Sequence, residues 1–352
     1  MMSDLKRWQS TSMAAIVAVL IAAFNMAACT TAVARDTSKV NAAELQRLVD
    51  EAHAKYKDLK DGKNADYIPI LATIPSELFG VAIALPDGTI FTAGDVDYRF
   101  AIESTSKPFT AALVMQQYGG PQAIVDKIGV EPTGLPFNSK LAIEILDARS
   151  VNPLVNAGAI SSVSMVKASS EEERWQMVLG NLSDFAGESL PLMEEVYESE
   201  YTTSWGNRGI ANNLYNYERL YSDAEEALRV YTKQCSVGVT TRDLAIMGAT
   251  LANGGVNPKT DKRLINEAYV PELLAIMLTA GFYDGSGYWS MTAGLPSKTG
   301  VGGGIVSVVP GKMAIAAFSP RLDEYGNSVR AQNAIRHIAG QLGVGIFGPN
   351  PD

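Results

Sequence analysis

Two hairpin signals, one near each end of the chain, constrain its fold more than any other feature. Phe79 to Leu85 and Thr89 to Ala93 flank Pro86-Asp87-Gly88, and Ile305 to Val309 and Met313 to Phe318 flank Pro310-Gly311-Lys312. Proline pre-sets one backbone dihedral and glycine tolerates the corner that follows, so each triplet between apolar runs predicts a turn between antiparallel strands. The intervening stretch, about 111–234, reads instead as helices joined by polar loops. Strands, a helical block, strands again and a last helix do not fit alternating βα units. The order predicts an α+β chain: an antiparallel sheet built from both chain ends, flanked by helices, with an inserted helical region. The α/β part would cover about 60–110 and 235–352, and the helical part about 111–234.

The helices have readable boundaries. Asn41 to Tyr56 carries Leu45, Leu48, Val49 and Ala52 on one face, and Ser328 to Leu342 carries Ala331, Ala334, Ile335, Ile338 and Leu342 inward. Ser170-Glu171-Glu172-Glu173 has the form of a capping box, and Thr240 caps Leu244 to Leu251, which Asn253-Gly254-Gly255 stops. Asn212 to Tyr221 and Asp223 to Tyr231 are further helical patterns, and Pro271 starts a helix that runs to Gly281. His53 and His337, the two histidines, fall off the apolar stripes of the first and last helices and are expected at the surface.

The first residues read as a targeting segment. Lys6 and Arg7 precede an apolar run, Met13 to Phe24, that is short for a permanent membrane anchor. Ala32-Val33-Ala34 has the small-x-small form of a signal-peptidase site, and Met26-Ala27-Ala28-Cys29 resembles a bacterial lipoprotein box in which Cys29 becomes the lipidated first residue. Residues 1–34 are therefore expected to be a signal peptide and 35–352 the working domain, exported to the periplasm or beyond, with a lipid anchor at Cys29 as the second cleavage reading. Cleavage after Ala34 leaves Cys235 alone, so no disulfide framework is available. No Cys/His cluster has metal-ligand spacing, so neither metal nor cofactor is expected. A net charge of -9 without a basic block argues against a nucleic-acid partner.

The chemistry concentrates at Ser104-Thr105-Ser106-Lys107, which follows a strand-like run and opens an apolar helix with Pro108 in its first turn. Serine and lysine three apart lie on one helical face, so an amine kept neutral by burial can take the hydroxyl's proton. With no histidine placed to help, the lysine is the available base. Far downstream, Lys298-Thr299-Gly300 follows a turn and leads toward a strand, and Ser150-Val151-Asn152 lies between. This set resembles the serine, S-x-N and K-T-G elements of penicillin-recognising enzymes and implies acyl transfer on a β-lactamase-like fold. Leaving-group protonation falls to a tyrosine or to the lysinium.

Further segments resemble the serine-dependent glutaminase family in order, from about Tyr67 to Phe318. They include Tyr67-Ile68-Pro69, Gly129 to Gly134, Phe137-Asn138-Ser139, Asn152 to Ile160, Ser199-Glu200, Asn207-Arg208, Tyr231, Gln234-Cys235-Ser236, Tyr283 to Gly287 and Lys298 to Ile305. The resemblance implies Ser104 as nucleophile, Lys107 as base and Tyr283 as proton shuttle. It implies an oxyanion hole from the backbone N–H groups of Ser104 and Val301. Tyr67, Asn156, Glu200, Asn207 and Tyr231 would hold the amino-acid end of L-glutamine, and Ser150 would align with nothing essential. Lys298 is either catalytic or a support for the Val301 turn. A homodimer or homotetramer is implied as well. Ile70 stands where glutamine often follows Tyr-Ile-Pro, Thr105 where an aliphatic residue is usual, and Gly206 and Gly209 where arginine and alanine flank Asn207-Arg208. The competing readings are a periplasmic penicillin-binding or β-lactamase-type hydrolase and an inactive amino-acid-binding lipoprotein.

Overall fold

Five strands pair into one antiparallel sheet of order β2-β1-β7-β6-β5: β1 Gly80–Ala84, β2 Ile90–Gly94, β5 Ser297–Thr299, β6 Gly304–Val309 and β7 Met313–Phe318. The computed structural model describes residues 41–146 and 150–348. The leader, both cleavage sites and Cys29 lie outside the described residues. Both expected hairpins are present, and β7 joins them by pairing with β1 in a register that sets Val81 against Ala317 and Ile83 against Ile315. The sheet is thus assembled from the two ends of the chain, in an α+β architecture of the β-lactamase-like kind.

Every residue of β1, β6 and β7 is buried, because helices cover both faces. Alternation assigns the faces. Val81, Ile83, Ile305 and Ile315 pack against α1 (Ala42–Tyr56) and the closing helix Val329–Leu342. Ala82, Val306, Ala314 and Ala316 join the core beneath the helical region. Each fully buried aliphatic side chain contributes about 1.5–3 kcal/mol, and the small alanines of β7 let a helix lie close. That helix is Thr241–Ala252, whose Thr240 forms a complete capping box with Asp243. A Cβ on Gly248 would come 2.6 Å from Val306 Cγ2 and 2.7 Å from Ala314 Cβ, so only glycine permits this approach.

The helical region places the remaining functional segments. In chain order it comprises α2 (Lys107–Tyr118), α3 (Asn156–Met165), α4 (Glu171–Ala186), α5 (Glu194–Thr203), α6 (Trp205–Asn216) and α7 (Ala224–Cys235). The left-handed Gly119 ends α2, and the Asp223 carboxylate caps α7 by accepting from the N–H groups of Glu225 and Glu226. A two-residue ladder, β3 (Phe100–Ala101) with β4 (Gly238–Val239), ties the segment before Ser104 to the exit of α7.

Several boundaries differ from the sequence reading. The pattern read at Asn212 to Tyr221 is the end of α6, which stops at Asn216. At α4 only half the capping box forms: Ser170 accepts from the Glu173 N–H, but the Glu173 carboxylate turns to Ser169. Neither histidine is a free surface group. His53 stacks on Phe79 at 5.1 Å and burial lowers its pKa; His337 meets the edge of Tyr56, with Nε2 3.9 Å from Glu51. His53 is covered because α1 lies over the sheet at Phe79 and Gly94, and His337 because the closing helix packs beside α1.

Candidate active site

The segment carrying Ser104 is held in an unusual backbone. Ile102 N–H donates to Val237 O at 2.8 Å, then Glu103 adopts φ +49° before a single 3₁₀ turn, Glu103–Ser106, runs into α2. A non-glycine residue in that region is strained and persists where its surroundings over-determine it. Here they do: Ser106 Oγ donates to Glu103 O at 2.6 Å and accepts from Gln234 Nε2 at 3.0 Å, and Gln234 Oε1 accepts from Thr110 Oγ1 at 2.6 Å. Gln234 thereby clamps the turn to α7. Tyr283 is a second strained residue, with φ +58°.

Lys107 is 1% exposed, one helical turn from Ser104. Its Nζ donates to Asn156 Oδ1 at 2.7 Å, beneath the rings of Tyr231 and Tyr283. Burial lowers its pKa to about 8, against the opposing pull of Cys235, Glu103 and Glu200. Asn156 is the hub. Its Oδ1 also accepts from the Tyr231 hydroxyl at 3.2 Å, and its Nδ2 donates to Asn207 Oδ1 at 2.8 Å. The unusual glycines beside Asn207 therefore leave its side chain in the cluster.

Glu200 and Glu103 lie opposite. Both are buried, and Glu103 Oε1 and Glu200 Oε2 have no hydrogen-bond partner. Desolvation raises Glu200 to about 8, with Lys107 pulling the other way, and raises Glu103 further because Glu200 adds repulsion. Tyr67 is 54% exposed by surface, but its hydroxyl turns inward; desolvation there, then Glu103, Tyr283 and Glu200, push its pKa up. Its ring marks the mouth of the cleft.

The glycine run closes the other side. A Cβ on Gly300 would meet Ile102 O and Thr105 N at 3.1 Å and Ser104 N at 3.2 Å, so the turn into Val301 rests directly on the amide edge of Ser104. Burial raises the Tyr283 phenol, partly offset by the Ser104 hydroxyl beside it, and Phe137 packs on its ring at 4.7 Å. Lys298 Nζ donates to Gly281 O at 3.0 Å and Thr299 O at 2.7 Å, 3.9 Å from the Tyr283 ring centroid. Its amine is thus engaged by two backbone carbonyls beside Tyr283 and the Val301 turn, and burial, with Lys107 nearby, holds its pKa well below the ordinary lysine value. Asn152 shapes its own loop, bonding Glu131 O and the Leu154 N–H.

The nine residues singled out from sequence thus gather in one cleft: Ser104, Lys107, Asn156, Asn207 and Tyr231 through α2, α3, α6 and α7, with Glu200, Tyr67, Tyr283 and Val301 around them. Glu103 was missed. A carboxylate just before a serine carries no signal until the fold brings it beside Glu200 and Cys235.

Known proteins resemble this chain over most of its length. A family model described as Glutaminase matches residues 62–347. A glutaminase of Colwellia psychrerythraea is 53% identical over 303 residues, covering 86% of this chain and 97% of that relative. The solved structure of a probable glutaminase superposes with a TM-score of 0.86 at 52% identity, covering 88% of this chain and 99% of the other. A probable glutaminase from Bacillus subtilis, complexed with 6-diazo-5-oxo-L-norleucine, superposes with a TM-score of 0.78 at 31% identity, covering 88% and 98%.

Proposed function

The chain belongs to the glutaminase family, hydrolysing the side-chain amide of L-glutamine to glutamate and ammonia, and we propose that it does so through a glutamyl ester on Ser104. Ser104 Oγ bonds to the amide carbon while its proton passes to neutral Lys107 Nζ. The oxyanion falls to the N–H groups of Ser104 and Val301; losing one such donor costs about 3–4 kcal/mol elsewhere. The carbon–nitrogen bond breaks as the lysinium proton reaches the leaving nitrogen through the Tyr283 hydroxyl, and ammonia departs. Water then attacks the ester, Lys107 takes its proton, and Ser104 Oγ regains a proton as glutamate leaves.

What supports this most directly is Lys107: fully buried, held by a neutral carboxamide instead of a carboxylate, and brought to about 8 by desolvation. Glu200, with Glu103 beside it, supplies carboxylate for the α-ammonium, while Asn156, Asn207, Tyr231 and Tyr67 offer amides and phenols to the α-carboxylate. A ligand lacking either group leaves buried polar atoms unpaired, which separates glutamine from simple amides. The analogue in the Bacillus subtilis structure carries the same amino-acid end.

The test is ammonia release from glutamine by purified protein beside Ser104→Ala and Lys107→Ala. Losses of at least about 10³-fold in kcat with glutamine binding retained are expected; a Lys107→Ala enzyme within tenfold of wild type sinks the serine–lysine assignment. Glutaminase relatives disfavour the penicillin-type and inactive alternatives, and a fluorescent penicillin is expected to leave Ser104 unlabelled. Export belongs to the same reading: residues 35–352 work outside the cytoplasm, released after Ala34 or anchored through lipidated Cys29, and the mass of the mature N-terminus separates the two. Assembly as a homodimer or homotetramer is read by light scattering.

A further inference from the structure

We propose that Glu103, Glu200 and Cys235 form an inhibitory zinc site at the floor of the substrate cleft. One carboxylate oxygen from each glutamate and the Cys235 sulfur lie within 4.8 Å of one another, all three residues being buried. Among the described residues Glu103 Oε1 and Glu200 Oε2 have no hydrogen-bond partner, and the Lys107 amine is engaged with Asn156. Two desolvated carboxylates that converge on one thiol, each with an oxygen lacking a hydrogen bond, form a place where a cation replaces lost hydration.

The donor set selects the ion. Magnesium and calcium take oxygen ligands throughout, whereas one sulfur and two carboxylates suit borderline-soft zinc, with three protein ligands leaving a fourth position for water on the cleft side. Zinc bond lengths near 2.0–2.3 Å place tetrahedral donors about 3.4–3.6 Å apart. The cluster therefore contracts from at most 4.8 Å by up to about 1.4 Å on binding, within reach of side-chain rotation, since the ion removes the repulsion between the carboxylates. Tyr67, at the cleft mouth with its hydroxyl toward both glutamates, marks the route in. When the sulfur–zinc bond forms, Cys235 gives its S–H proton to solvent, and any proton shared by the glutamates leaves as well. Affinity thus rises with pH. Lys107, Tyr67, Tyr231 and Tyr283 face the same point; of these only Lys107 adds positive charge, and it loses that charge as pH rises through about 8.

Inhibition, though not binding, rests on Glu200 anchoring the substrate's ammonium: an ion on Glu200 and that ammonium exclude each other. The experiment uses metal-free enzyme in a Cys29→Ser background, so that Cys235 is the only thiol. Cadmium titration is followed by the ultraviolet thiolate-to-metal band, and zinc inhibition by ammonia release. We expect one band per chain, erased by Cys235→Ser and by saturating L-glutamate. We also expect inhibition competitive with glutamine, weakened at least tenfold in Cys235→Ser when each enzyme is read against its own metal-free rate. No band in the parent enzyme, or equal zinc inhibition of Cys235→Ser, overturns the site. If that variant fails to fold, Cys235→Ala replaces it in both readings. A band erased by the cysteine substitution that persists under saturating glutamate, with non-competitive inhibition, upholds the metal site and strikes instead at Glu200 as the ammonium's anchor.

Discussion

Lowering the pH from 9 to 6 perturbs the two groups on which turnover depends most. In the mechanism proposed above, Lys107 must be uncharged to take the Ser104 proton, and Glu200 must be charged to receive an ammonium. Burial draws both toward about 8, the amine downward and the acid upward. Activity therefore requires each to have lost its proton, and below pH 8 the competent fraction falls with both. At pH 7 each group is about 10% in its working form, so kcat/KM drops about 100-fold from its plateau, with a limiting slope near two. Each group's charge favours the other's, so the two titrate as a pair. Bound ammonium neutralises Glu200 and frees Lys107 to fall further, which sets the break in kcat below the break in kcat/KM. Initial rates of ammonia release from pH 5.5 to 10 measure both. In Glu200→Gln the slope of kcat/KM becomes one. A profile flat from pH 6 to 8, a break near the ordinary lysine value of about 10.5, or an undiminished slope in Glu200→Gln would refute the buried neutral amine.

Three further outcomes follow from the same packing. Glu200 is protonated more readily folded than unfolded, so its contribution to stability is complete below pH 4.5 and lost as pH rises to about 8. Glu200→Gln should therefore stabilise the fold by up to about 3 kcal/mol at pH 7 and little at pH 4.5, read by urea unfolding; an unstable variant at pH 7 contradicts the cost of that charge. Gly248→Ala, which drives a methyl into Val306 and Ala314, should cost about 1–3 kcal/mol and leave kcat per folded molecule unchanged. Gly300→Ala, crowding the amide edge of Ser104, should lower kcat about 10–100-fold with KM nearly constant; a rise in KM alone would place that turn outside the reacting centre.

Much of this architecture is written in local pattern. The triplets Pro86-Asp87-Gly88 and Pro310-Gly311-Lys312 announce their hairpins because turn chemistry is short-range. Thr240 and the stripe of α1 announce helices for the same reason. Ser104 and Lys107 are legible as a pair because three residues of helix bring them to one face. Where local signals compete, boundaries slip: Ser204 and Trp205 open α6 without a side-chain cap, so its start left no mark.

Sequence by itself determined most of the elements and, through ordered motifs, the family, and it offered the serine–lysine pair proposed above. Tertiary structure alone decided that β7 pairs with β1, that Asn156 receives Lys107, and that Lys298 is spent on the carbonyls of Gly281 and Thr299. It also decided that positions 103, 200 and 235, without metal-ligand spacing along the chain, converge within 4.8 Å. The physical reason is the same each time. Turns and caps are satisfied by neighbours in sequence, whereas the acidity of Lys107 and Glu200 and the orphaned oxygens of Glu103 and Glu200 come from desolvation, which exists only once distant segments close over them.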